Sequence, residues 1–372
     1  IPAVVFLIFI YGMALWFIFS PKPDYSSSEK RYLQKFPEVT AEKLLSGDFG
    51  SEFETFFADR FPQRNTWVGL NAYTALAEGN NGASGVYNCK NGYLINKPVS
   101  TENNLDKNIG AVADFAKSIG TPTTVMLVPS TGYIVDDVLP TFHDKYNDDE
   151  DISKISSTLS KDKIGFVDLR ERFKSEYKNG SQIYYKTDHH WTTKGAYTGY
   201  QELCKALGIT PIDDSTLKKD SYPDFYGTTY SSSGFWLTPP DNIEIWNNPK
   251  NSDRNISVKI TEGANIKTSG SMYFTDHLKE DDKYPVFIDG NHALTEITNT
   301  NAKNGTILLI KDSFSHSLAP FLAENYSKVV LVDLRYYKES VSDLVTTYNP
   351  EQVVVLYGID NLATDTDIVW LK

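Results

Sequence analysis

From Ile1 to Ser20 the chain carries no charged side chain, and Pro21-Lys22-Pro23-Asp24 ends that run abruptly. About 20 apolar residues suffice to cross a hydrocarbon core as a helix, and no small-residue cleavage site of the A-x-A kind is visible. A transmembrane signal anchor over residues 1–20 is therefore expected rather than a cleaved signal peptide. In the lead-in, residues 21–100, the pattern turns amphipathic. Residues 24–80 read as helical, with Leu44, Phe49, Phe53, Phe56, Phe57 and Phe61 recurring at roughly helical spacing and Pro62 closing a helix. "VYNCKNGYLIN" (86–96) reads as a hairpin about Asn91-Gly92.

Past residue 101 helical and strand patterns alternate. A helix through "AVADFAKSIG" leads to the strand "TTVMLV", and "ISKISSTLSK" leads to "GFVDL". A third helix begins near Arg170; a fourth carries Ala196, Tyr200, Leu203 and Leu207 on one face and stops at Gly208. Residues 218–300 break this rhythm with turn-rich, strand-like pieces such as "NIEIW", "ISVKIT" and "YPVFIDG", read as a β-rich insertion. The rhythm then returns with "TILLI", "LAPFLAENY", "KVVLVDL", "ESVSDLVTTY" and "EQVVVLYG". These strands are continuous apolar runs, as expected when helices cover both sheet faces. The expected fold is α/β: a three-layer α/β/α sandwich with a mainly parallel sheet, forming one domain over residues 101–372.

Charge narrows the function. Lys plus Arg total 36 against 48 Asp plus Glu, a net charge of −12. That argues against nucleic acid or an anionic membrane surface as the main partner, since both need a basic face. Aromatics make up 13% of the chain, which suits either sugar stacking or ordinary core packing. The two cysteines, Cys89 and Cys204, leave a single disulfide open.

In open α/β sheets, sites form at the carboxyl ends of strands, and two such ends carry chemistry. In "TILLIKDSFSHSLAPFL" the strand reaches Ile310 and a helix starts a few residues after Ser313. The hydroxyl on such a turn is exposed, and its backbone N–H lies near a helix N-terminus, ready for an oxyanion. In "YYKTDHHWTTKGAY", Asp188 and His190 are two apart, so in an extended segment they project to one side. Asp188 then holds one ring nitrogen of His190 while the other faces a serine. The competing readings are ordinary: Ser313 as a turn or N-cap residue, Asp188 as a helix cap and the histidines as polar turn residues. Finding both features at strand ends of one domain favours a triad. A metal held by Asp188, His189 and His190 with His277, His292 or His316 fits less well. Adjacent histidines rarely both point at one ion, and no HxH or HxxxH spacing occurs. Neither a metal nor a cofactor is called for.

These same residues carry a resemblance. "TDHHWTTKGAY" resembles the defining motif of the DHHW protein family, which is similar to the SGNH-hydrolase-like alginate O-acetyltransferases. "KDSFSHSLAPFLAENY" resembles its nucleophile block, and "EKRYLQKFPEVT", "SGDFGSEFETFFADRFPQR", "DFYGTTYSSSGFW", "FIDGNHAL" and "VDLRYY" extend the similarity over most of the chain. The resemblance implies an SGNH-like serine O-acetyltransferase, with Ser313 as nucleophile, His190 as base and acid, and Asp188 as orienting carboxylate. His189 is a minor candidate for the base, because many SGNH enzymes use Asp-x-x-His. Lys311 departs from the pattern, standing where SGNH esterases have the glycine of G-D-S.

The implied role is extracytoplasmic: acetyl transfer through an acetyl-serine onto hydroxyls of an exopolysaccharide or cell-envelope glycan. The implied supplier is a multi-pass MBOAT-type membrane acyltransferase, and the chain itself is expected in the cell membrane as a single-pass protein. The rivals are an acetyl-esterase with the same triad and a non-catalytic glycan-binding assembly subunit. Tyr184, Tyr185, Trp191, Tyr226, Phe235 and Trp236 are the candidate sugar-stacking residues, core packing being the alternative for each.

Overall fold

In the computed structural model, which describes residues 2–99 and 104–371, the uncharged run forms helix α1 (Pro2–Phe19), with mean hydropathy 2.3 and no buried side chain. It is long and apolar enough to cross a membrane, as an anchor or a signal sequence. Lys22 closes it, its Nζ donating to Phe17 O at 2.8 Å and to Ile18 O at 3.3 Å, two carbonyls the helix leaves open. The next stretch is not helical as expected. Strands β1 (Tyr25–Ser26) and β2 (Arg31–Tyr32) form a ribbon, because Ser26 Oγ takes the Glu29 N–H at 3.3 Å and builds a turn instead. Helices α2 (Ala41–Ser46), α3 (Asp48–Asp59) and α4 (Arg64–Ala77) follow, then antiparallel β3 (Gly82–Ala83), β4 (Val86–Asn88) and β5 (Leu94–Asn96), the last two forming the expected hairpin. Ile1 and the boundary expected at 100/101 lie outside the described residues.

The alternating region forms α5 (Asn104–Ile119), β6 (Thr123–Val128), α6 (Thr131–Ile134), α7 (Asp148–Lys161), β7 (Gly165–Asp168), α8 (Arg170–Lys178) and α9 (Thr193–Leu207). Next come β8 (Lys218–Phe225), α10 (Thr228–Ser233) and β9 (Asp241–Asn247), then β10 (Ile256–Glu262), β11 (Asn265–Ser269) and β12 (Leu294–Asn299). The chain finishes with β13 (Asn304–Lys311), α11 (Ser315–Leu322), β14 (Tyr326–Val332), α12 (Val341–Tyr348), β15 (Gln352–Gly358) and α13 (Ile359–Thr364).

An eight-stranded sheet organises these elements in the order β11-β10-β12-β14-β13-β15-β6-β7. It is mixed rather than mainly parallel. Pairings from β14 to β7 are parallel, whereas β11, β10, β12 and β14 pair antiparallel. The stretch 218–300 is accordingly not a separate insertion, since β10, β11 and β12 extend the main sheet and only β8 and β9 form their own ribbon. "YPVFIDG" is no strand: Tyr284–Val286 is a 3-10 turn opened by Pro285, which has no N–H to give a ladder.

Strand residues alternate between two cores. Leu309, Leu331, Val354 and Leu356 pack with α8, α9 and α11 on one face. Leu308, Ile310, Val330 and Val355 pack with α5, α7, α12 and α13 on the other. Helices therefore cover both faces, as the unbroken apolar runs imply. β13 ends at Lys311, with Ser313 on the turn into α11.

Candidate active site

The DHHW segment sits on a tight turn. Tyr184 and Trp191 bridge across its base, and Tyr185 N donates to His190 O at 3.2 Å. Asp241 holds the approach, its carboxylate accepting from Lys186 N, Thr187 N and Thr187 Oγ1 at 2.7–3.1 Å. The turn brings Asp188 Oδ1 to 2.5 Å from His190 Nδ1 and 2.8 Å from His190 N. His190 Nε2 is 2.7 Å from Ser313 Oγ. Exposure rises along this chain from Asp188 (1%) through His190 (4%) to Ser313 (9%), so it opens to the surface at the serine.

Neither ordinary capping role is used. Thr192 caps α9, its Oγ1 accepting from Gly195 N at 3.1 Å, and no side chain caps α11. Burial alone would raise the Asp188 pKa. The facing His190 and His189 rings, together with the hydrogen bonds from His190 and Thr228 N, hold it well below the usual carboxylate range instead. Asp188 Oδ2 accepts from Thr228 N at 2.7 Å. That approach requires Gly227, where an added Cβ would lie 2.1 Å from Asp188 Cβ.

Donor atoms of Asp188, His189 and His190 lie within 4.8 Å of one another. They are committed elsewhere: Asp188 to His190, and His189 Nδ1 to Thr228 Oγ1 at 2.6 Å. The histidines considered as further ligands also have partners, His316 bonding Lys311, and His277 and His292 both reaching Asp289. Cys89 and Cys204 are buried free thiols.

Several residues that shape the site were not singled out from sequence. Tyr284 stacks on the His190 ring with centroids 4.0 Å apart and planes 11° apart, and its hydroxyl donates to Ser313 O at 3.2 Å. Burial keeps its phenol protonated, raising the pKa well above the usual value. Asp312 fixes the Ser313 turn by accepting from Phe314 N (2.9 Å), Gly358 N (2.7 Å) and Asn361 Nδ2 (2.7 Å). Beneath the turn, fully buried Lys311 bonds Asp333 Oδ2 at 2.9 Å and His316 Nε2 at 2.8 Å. Burial, then the neighbouring Lys311 charge, drive the His316 pKa far down, so its neutral ring accepts from the ammonium. Tyr284 opens "YPVFIDG", which reads as a strand piece, and Asn361 follows the last strand, so neither stands out in the sequence as a site residue. In "DFYGTT" the sequence singles out Tyr226, whereas the structure puts Gly227 and Thr228 against Asp188.

The stacking assignments need correction. Trp191 is buried, its Nε1 donating to Phe314 O (3.0 Å) and Ser317 Oγ (2.9 Å), and so it ties the DHHW segment to the Ser313 turn and α11. Tyr185 packs on Phe225, Tyr184 donates to Pro129 O, and Phe235 lies in a core. A fully buried ring has no face for a sugar. Tyr226 and Trp236 are half-buried around Tyr230. Among the described residues, neither lines the large cleft beside the site. That cleft, about 880 Å3, lies between the lead-in helices and α10 and is lined by Arg31, Phe57, Arg64, Trp67, Asn71 and Thr228. A pocket of about 50 Å3, lined by His189, Phe314, Gly358 and Asn361, lies beside the serine turn.

Over residues 99–332 the sequence matches the DHHW protein family. Among solved structures, a DHHW family protein from Eubacterium siraeum aligns with a TM-score of 0.65 at 18% identity, covering 77% of this chain and 95% of that one. Bacillus cereus PatB1, bearing a sulfonyl adduct, aligns with a TM-score of 0.65 at 21% identity over 76% and 97%. The O-acetyltransferase domain of Pseudomonas putida AlgJ aligns with a TM-score of 0.50 at 14% identity over 77% and 95%. No curated protein matches the sequence significantly.

Proposed function

The chain belongs to the DHHW protein family, and on that premise we propose that it is an SGNH-like serine O-acetyltransferase acting on hydroxyls of an extracytoplasmic glycan. The observation that carries this reading is the unbroken chain from Ser313 Oγ through His190 to Asp188, at 2.7 and 2.5 Å. The fold shared with an O-acetyltransferase domain supports it.

The proposed reaction has two halves. His190 Nε2 takes the Ser313 proton as Oγ attacks the acetyl carbonyl, and the tetrahedral oxyanion collapses as the leaving group departs with that proton. A sugar hydroxyl, deprotonated by the same nitrogen, then attacks the acetyl-serine; the new ester forms and Oγ recovers its proton. Ser313 N–H, which has no acceptor among the described residues, is positioned to serve the oxyanion. The ionised Asp188 holds His190 Nδ1–H and stabilises the imidazolium formed in each half. Transfer rather than hydrolysis requires a site that presents the sugar hydroxyl at Ser313, and in this reading the rest of the glycan lies along the 880 Å3 cleft, whose wall residue Thr228 bonds His189 and Asp188. The acetyl supplier in this reading is an MBOAT-type membrane acyltransferase, with the globular part outside the membrane.

Incubation with an activated acetyl ester tests the first half. Peptide mass spectrometry is expected to find acetate on Ser313, discharged when acceptor glycan is added. Ester turnover with Ser313 never modified rules the mechanism out, and discharge to water alone makes the enzyme an esterase.

Trp67 tests the cleft. It is 42% exposed and anchored by Nε1 to Pro62 O at 3.0 Å, which leaves a ring fixed on the cleft wall. Trp67→Ala is expected to lower kcat/KM for glycan by about tenfold, roughly 1.4 kcal/mol of stacking. Acetylation of Ser313 by the small ester should be unchanged. An equal loss in both assays would assign Trp67 to the fold instead.

A further inference from the structure

Helix α3 carries an apolar stripe that the protein leaves open. Phe49, Phe53, Phe56 and Phe57 recur on one face. Phe36 packs edge-on against Phe49, Phe53 and Phe56 at centroid distances of 6.4, 6.1 and 5.4 Å. Around this cluster Phe36, Val39, Leu44, Phe53 and Phe57 are exposed, and Leu45 is 90% exposed. A contiguous exposed apolar patch of this kind marks an interaction surface.

Two observations say what covers it. The patch is continuous with α1: Phe17, in its last turn, packs on Phe57 with centroids 4.6 Å apart and planes tilted by 35°, and meets Phe56 edge-on at 6.2 Å. Because α1 packs on α3, the open stripe sits where a membrane-spanning α1 leaves the bilayer. The surrounding charge is acidic, with Glu38, Glu42, Asp48, Glu52 and Glu54 against Lys35 and Lys43, and Lys43 is paired to Glu52 at 2.8 Å. That composition selects a neutral lipid surface over an anionic one.

We propose that α2 and α3 lie in the membrane interface, with Leu44, Leu45, Phe49 and Phe53 inserted among neutral phospholipid headgroups beside the exit of α1. Interfacial helices of this type bury their apolar face about 5–10 Å into the headgroup and acyl boundary. Phe57 also lines the large cleft, so this docking holds the mouth of that cleft against the membrane.

The test uses the full chain in phosphatidylcholine nanodiscs, spin-labelled one site at a time as Leu45→Cys, Phe53→Cys and Ser51→Cys. Cys89 and Cys204 are buried, which makes labelling selective. Ser51 is exposed on the face of α3 opposite the stripe. Labels at 45 and 53 are expected to collide readily with oxygen and rarely with a nickel chelate, with the reverse at 51. Free access of the chelate to 45 and 53 overturns the proposal. Shielding of both from oxygen and chelate alike also overturns it, in favour of a protein covering the stripe, either a second copy or a membrane-embedded partner. Circular dichroism matching the parent shows that each labelled chain is folded.

Discussion

Ser313→Ala is expected to remove acetyl transfer, lowering turnover by on the order of 10⁴-fold or more, because in triads of this kind the members act as a unit. Ser313 Oγ bonds His190 Nε2 at 2.7 Å, and no other hydroxyl is bonded to that nitrogen among the described residues. Loss of Oγ therefore leaves the base with nothing to activate but water. His190→Ala should cost about as much, and the double substitution little more than either alone. Asp188→Asn should lower turnover by about 10⁴-fold, as for the carboxylate of such triads, through the wrong imidazole tautomer and an uncompensated imidazolium. Ser313 makes no helix-capping bond, so the alanine variant should melt with the parent. Glycan acetylation followed by mass spectrometry, with thermal melting in parallel, is the measurement. Retention of activity within tenfold of the parent would overturn the triad, whereas glycan binding without acetylation by the parent itself would leave the glycan-binding subunit as the better reading.

What could be read in advance depends on how local each contact is. Two-residue spacing made an Asp188–His190 contact legible, although the structure achieves it on a turn, where Asp188 Oδ1 also accepts His190 N at 2.8 Å. Ser313 lies 123 residues from His190 in the chain. It was legible as a candidate because a strand ending in a turn and helix exposes whatever follows the strand. Side-chain direction was not legible. The aromatics on and beside the turn looked like a stacking platform, yet Trp191 and Tyr185 point inward, since irregular segments lack the period that tells one face from another. The sheet misled for a different reason. "ISVKIT" reads correctly as a strand, but nothing local says that β10 pairs with β12 and β12 with β14, antiparallel, rather than forming a separate module.

Lys311 was the least legible residue of all. A lysine ending a strand reads as solvent-exposed, yet here it is buried because Ile310 pairs with Val332 in the parallel register. That pairing sets the next side chains, Lys311 and Asp333, against each other at 2.9 Å. Burial lowers the Lys311 pKa and Asp333 opposes the shift. Arg335, half-exposed, donates to the same carboxylate at 2.6 and 2.9 Å. Asp333 thus holds both cations, Lys311 and Arg335, beneath the Ser313 turn.

Asp333→Ala should destabilise the fold by about 3–5 kcal/mol, the cost of leaving a buried charge without its partner. Denaturant unfolding would show it as a lower midpoint with an unchanged slope. Two controls separate charge burial from lost packing. Lys311→Met combined with Asp333→Leu should recover most of the loss, because both charges then disappear together. The pH dependence has a definite sign. In Asp333→Ala the folded-state pKa of Lys311 falls further below its unfolded value, so between the two the unfolded chain binds the extra proton. Stability of the variant should then rise with pH across that alkaline window, relative to the parent. A loss that is the same at every pH, and is not repaired by the double substitution, would mean that Asp333 acts through packing and its bonds to Arg335 rather than by neutralising Lys311.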